Sequence, residues 1–162
     1  MKMKLISKRQ IVATIILFFA FVPFVQSQSL YQNECTGISN DGHITLKIWN
    51  PEKARKYKME DAQKDAIQVI IFNGIAANKQ CIGQKPLLQN EKEKSDFEKI
   101  SKDFFKTNGN WQTYIRSSSL ENALPDKIGK KNWNVYQITV DRTMLKKNLE
   151  EQKVIKPINT GF

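Results

Sequence analysis

His43-Ile44-Thr45-Leu46-Lys47-Ile48-Trp49-Asn50-Pro51 is the stretch that decides the fold. Ile44, Leu46 and Ile48 alternate with Thr45, Lys47 and Trp49, which is the period of a strand with one apolar face. Asn50-Pro51 then stops the strand and supplies a cap and a first-turn proline. A helix is predicted from Glu52 to about Ala77, with Ala62, Ala66, Ile70 and Gly74 near four-residue spacing. Small residues on that stripe let the helix backbone approach a sheet closely, and Ile67, Ile71 and Ile75 widen the buried face.

Downstream, residues 78–90 are irregular and contain Cys81, Gly83 and Pro86. Asn90 followed by Glu93 forms a capping-box pattern for a second helix through about Lys106, with Phe97, Ile100 and Phe104 along one side. Asn108-Gly109-Asn110 turns the chain into a weakly alternating strand over residues 111–118. A polar connection over 119–132 carries Pro125 and Gly129, and 134–141 is a clear strand with Tyr136, Ile138 and Val140 facing one way. Asp141 can cap a last helix that buries Met144, Leu145 and Leu149, and the tail leaves through Val154-Ile155, Pro157 and Gly161-Phe162 toward a short edge strand. The expected class is α+β: a small antiparallel or mixed sheet of about three strands covered on one face by two or three helices, in the order β-α-α-β-β-α.

Lys2, Lys4, Lys8 and Arg9 precede the apolar run Ile11 to Val25, and small residues around Ser27 and Ser29 follow it. That order reads as a secretory signal peptide over residues 1–27, processed after Ser27 or Ser29. The apolar run, about 15 residues, is short of the roughly 20 that a membrane span needs, so no stable span is expected after processing. Residues 28–42 read as a polar N-terminal segment and 43–162 as a single α+β domain. The address is the periplasm or the extracellular space.

The leader carries four of the 26 basic residues and none of the 16 acidic ones, so its loss lowers the formal charge from +10 to +6. The remaining bases are interspersed with acids, as in Glu91-Lys92-Glu93-Lys94, which describes a solvated helix face and argues against a nucleic-acid partner. Cys35 and Cys81 are the only cysteines, and oxidising surroundings favour a disulfide between them; two separate thiols are the alternative.

Reaction chemistry finds little to work with. His43 is the only histidine, it lies on the polar side of its strand, and no Gly-x-Ser-x-Gly elbow surrounds any serine. Asp61 and Asp65 share a helix face, but Lys58 and Lys64 beside them describe a solvated surface. No phosphate loop or metal-ligand spacing is present, and no catalytic, cofactor-binding or metal residue is picked out. Trp49, Trp111 and Trp133 are the candidate interface, since aromatic side chains bury large areas with few rotors; local packing is the competing use.

Asp61-Ala62-Gln63-Lys64-Asp65-Ala66-Ile67, then Tyr136-Gln137-Ile138-Thr139-Val140-Asp141 with Met144-Leu145 and Leu149-Glu150, resembles the N-terminal domain of flagellar assembly protein T and related small envelope lipoprotein domains. The resemblance covers roughly residues 43–150 and implies an Ala-rich helix against a small sheet in a structural or assembly component, with no catalytic residues to carry over. The expected function is therefore an exported, non-enzymatic binding or assembly module that meets an envelope or extracellular protein partner through an aromatic sheet surface. The alternative is a small secreted or periplasmic hydrolase acting on cell-wall or glycan material.

Overall fold

The computed structural model describes residues 31–121 and 133–157. The leader over 1–27 with its processing sites, most of the polar connection with Pro125 and Gly129, and the Gly161-Phe162 end lie outside the described residues. Four strands, β1 (Gln32–Ile38), β2 (His43–Trp49), β3 (Ile115–Glu121) and β4 (Val135–Asp141), form one antiparallel sheet in the order β1-β2-β4-β3. Helices α1 (Met59–Gln68), α2 (Glu91–Phe104) and α3 (Arg142–Glu151) complete the α+β domain. No helix among the described residues is long and apolar enough to cross a membrane.

The core follows the alternation of residues 43–49. Ile44, Leu46 and Ile48 of β2 and Ile138 and Val140 of β4 are fully enclosed, and Ala62, Ala66 and Ile67 of α1 meet them in one cluster with Phe97, Leu145 and Leu149. Met144 departs from the expected burial at 44% exposure. It sits in the first turn of α3 on the solvent side, while Leu145 and Leu149, one helical turn apart, take the core positions.

The polar segment expected over 28–42 contributes a strand instead. β1 pairs with β2 from Gln32 opposite Trp49 to Ile38 opposite Ile44, so the order becomes β-β-α-α-β-β-α. An edge strand needs backbone pairing more than apolar alternation, and the only firmly buried residue of β1 is Cys35. Cys35 is bonded to Cys81 with the Cα atoms 6.1 Å apart, as expected of the two cysteines. Asn78 reinforces the clip: its amide donates to the Cys35 carbonyl at 2.8 Å, and its Oδ1 accepts from the Gln80 and Cys81 amides.

The first helix is shorter than predicted at both ends. Asn50 does cap, with Oδ1 accepting from the Glu52 and Lys53 amides at 3.0 Å, yet the turn it starts runs only through a 3-10 segment at Ala54–Lys56. The chain then extends at Tyr57, whose ring is buried and whose hydroxyl donates to Asp65 at 2.6 Å; α1 begins two residues later. At the other end the helix widens into a π turn over Val69–Asn73 and stops at Gly74, φ 74° and ψ −170°. The returning chain supplies the reason. A Cβ on Gly74 would lie 2.4 Å from the Gln84 carbonyl, and the Leu87 and Leu88 amides donate to the Ile70 and Ile71 carbonyls freed there.

Glu93 donates its amide to Asn90 Oδ1 at 3.0 Å as the capping pattern predicted, but its carboxylate reaches back to the Gln89 amide rather than to Asn90. The predicted strand at 111 begins only at Ile115, because residues 110–114 form a 3-10 turn that sinks Trp111 and Tyr114 into the core. Val154 and Ile155 are buried after α3, and no described residue beyond Glu151 adds an edge strand.

Candidate functional site

α1, α2 and α3 share one core with the Ile44, Leu46 and Ile48 face, and the opposite face of the sheet lies outside that cluster, its β2 and β4 side chains half-buried apart from the buried Val135 and Asp141. The register lays it out in rows across β1, β2, β4 and β3. Gln32, Trp49, Val135 and Glu121 make the first row, and Glu34, Lys47, Gln137 and Ser119 the second. Gly37, Thr45, Thr139 and Ser117 make the third, and His43 with Asp141 closes the end.

The middle of this face is polar and internally tied. The Thr45 and Thr139 hydroxyls are 3.0 Å apart, and Lys47 Nζ lies 3.0 Å from Glu121 Oε2. Lys47 and Glu121 sit on strands either side of β4, so their pair bridges that strand; Val135, in the same row as Glu121, is buried although it faces outward. Both partners are about one-third exposed, and such a pair is worth about 0–1 kcal/mol.

The three tryptophans separate. Trp49 is half-buried on this face, at the end of β2. Trp133 is half-buried immediately before β4, on the Val135 side by alternation, and its indole Nε1 is enclosed without a hydrogen-bond partner among the described residues. Trp111 is 0% exposed, donates Nε1 to the Lys106 carbonyl at 3.0 Å and lies under the Lys64 ammonium at 5.3 Å. That removes Trp111 from the interface. Its packing role arises because the 3-10 turn before β3, rather than the strand itself, carries the residue.

His43 stands in a charged cluster at the other end of the face. Its Nδ1 is 3.2 Å from Asp41 Oδ2 and its Nε2 is 3.4 Å from Asp141 Oδ2. Arg116 donates through Nη2 at 2.5 Å and Nε at 3.2 Å to the same Asp141 oxygen, while Asp141 Oδ1 accepts from the Met144 amide at 2.7 Å. Burial alone would raise the Asp141 carboxyl, but the Met144 amide, Arg116 and His43 outweigh it and hold it below its ordinary value. The Ser39 hydroxyl hydrogen bond is the main reason that Asp41 is also held low.

This cluster has the wrong connectivity for nucleophile activation. Both imidazole nitrogens face carboxylates, and the nearby Ser39 hydroxyl gives its proton to Asp41 rather than to the ring. No group of three metal-ligating side chains is gathered among the described residues. Of the acids weighed on α1, Asp61 pairs with Lys53 at 3.4 Å, and Asp65 is turned inward onto Tyr57. Burial raises the Asp65 carboxyl, with the Tyr57 hydrogen bond opposing it. A recess between α2 and the end of α3 offers one acid, Asp103, already 3.7 Å from Lys106.

Arg116 and Asp141 were not singled out by the sequence as site residues. Asp141 was legible only as a helix cap, and its place opposite His43 needs the β2-to-β4 register. The fold defines a two-layer α+β domain with a helix-covered antiparallel sheet. No family model matches the chain, and neither the curated proteins nor the solved structures yield a match.

Proposed function

We propose that this chain is an exported, non-enzymatic binding or assembly module whose outer sheet face receives an envelope or extracellular protein partner. The observation that carries the reading is the placement of the described helices, which leaves the half-buried Trp49, Gln137 and Lys47–Glu121 pair on the sheet face outside the helix-packed core. An aromatic anchor beside polar hydrogen-bonding groups is a common composition for a protein contact. The leader supports export to the periplasm or beyond, and the Cys35–Cys81 bond is the chemistry that an oxidising compartment favours. The likeness to the flagellar assembly protein T domain supports the assembly half of the proposal. The hydrolase alternative draws no support from His43, whose nitrogens are both committed to carboxylates.

A photo-crosslinking residue at Gln137, compared with one at Lys99 on the outer side of α2, tests the reading in the cells that make the protein. The expected result is a discrete adduct outside the cytoplasm from position 137 that Trp49→Ala abolishes. Equal adducts from both positions, no adduct from 137, or retention of the chain in the cytoplasm would count against it.

A further inference from the structure

Met144, which departs from its expected burial, stands in the first turn of α3 with its thioether held in place. Arg116 Nη2 donates to Met144 Sδ at 3.6 Å and to Asp141 Oδ2 at 2.5 Å, and Asp141 Oδ1 accepts from the Met144 amide at 2.7 Å. Met144 therefore meets the Arg116–Asp141 pair twice, through its backbone and through its sulfur. Met59, the other methionine among the described residues, is packed against the core.

We infer that Met144 is an oxidation site for hydrogen peroxide, and that Arg116 receives the sulfoxide formed there. A lone pair of the sulfur attacks one peroxide oxygen, and the S–O bond forms as the O–O bond breaks. The departing hydroxide takes the proton left on the transferred oxygen and leaves as water, so the sulfur gives up an electron pair and the peroxide takes it. One lone pair of Sδ faces the Arg116 N–H, so the oxygen adds to the other, and one sulfoxide epimer is favoured. Rotation about the Cγ–Sδ bond then swings that oxygen toward Nη2, into hydrogen-bond range across the 3.6 Å that separates Nη2 from sulfur. A sulfoxide oxygen is a stronger acceptor than a thioether sulfur, and Nη2 has a separate proton for Asp141, so the pair that joins β3 to α3 is kept. At Met59 the same change would set a polar oxygen against apolar side chains. Exposure makes Met144 react first, and Arg116 makes its product tolerable. The site is independent of the partner proposed for the sheet.

The full chain, purified as its host processes it, is treated with hydrogen peroxide and followed by peptide mass spectrometry. Met144 is expected to gain an oxygen several-fold faster than Met59. The reductases that each remove a single sulfoxide epimer report the stereochemistry. One of them should clear most of the wild-type Met144 sulfoxide, whereas Arg116→Ala should leave comparable amounts to each. Independently of that variant, oxidation of wild type should shift the Arg116 guanidinium resonances without lowering the urea midpoint, and Met144→Leu treated alike should show no such shift. Oxidation of Met59 first, equal epimers in wild type, a midpoint lowered by oxidation of Met144 alone, or Arg116 resonances unmoved by the sulfoxide would overturn the inference.

Discussion

Asp141 is the residue on which three elements converge, so its replacement gives the sharpest test of the structure. One carboxylate oxygen caps α3 through the Met144 amide at 2.7 Å, and the other receives Arg116 from β3 and faces His43 of β2. Losing an N-cap costs about 1 kcal/mol. The Arg116 pair adds about 0.5–1 kcal/mol, discounted because Arg116 is 44% exposed. Asp141→Ala should therefore cost about 2 kcal/mol, lowering the urea midpoint at pH 7 by about 1 M. Asp141→Asn keeps a competent cap and loses only the charge, so about 1 kcal/mol is expected.

The two variants also differ in their response to acid. The folded-state pKa of Asp141 lies below its ordinary carboxylate value, so its charge-dependent stabilisation is complete above that value. It fades as pH falls through the folded pKa, and wild type should converge on Asp141→Asn in that window. Equilibrium urea curves at a series of pH values measure both effects. If Asn proves as costly as Ala at pH 7, or if the gap between wild type and Asn stays constant into strong acid, the cap-and-pair account of this residue is wrong.

Three other expectations use the same assay. Replacing Cys35 and Cys81 by serine removes the closure of a 46-residue separation and should cost about 2–4 kcal/mol, with β1 losing amide-exchange protection first. Gly74→Ala forces a side chain into a region of backbone space that is essentially glycine's and against the Gln84 carbonyl, so a loss of at least about 2 kcal/mol is expected. Lys153→Gly should act oppositely: Lys153 adopts φ 59° where the Lys153 and Val154 amides return to the Glu150 and Leu149 carbonyls, and relieving that conformation should raise stability by about 1 kcal/mol.

Much of the domain is legible wherever local chemistry and burial agree. The alternation of 43–49 and 135–141 places two central strands, Asn90 and Asp141 identify two helix starts, and the count of two cysteines points to their pair. The errors fall where a distant partner overrules the local signal. Asn50-Pro51 is a sound helix start that burial of Tyr57 cuts short, and Trp111 looks like a strand residue until a 3-10 turn carries it into the core.

The sequence by itself determined which face of the central strands is apolar, where two of the helices begin and that two cysteines were available to bond, because each depends on residues within a turn or on composition. Only the tertiary structure decided that Gln32–Ile38 completes the sheet, that Trp111 is enclosed, and that His43, Arg116 and Asp141 meet. The physical reason is strand order. Pairing β2 with β4, and β4 with β3, brings Arg116 and His43 to Asp141 across 25 and 98 positions, and no local periodicity encodes which edge meets which.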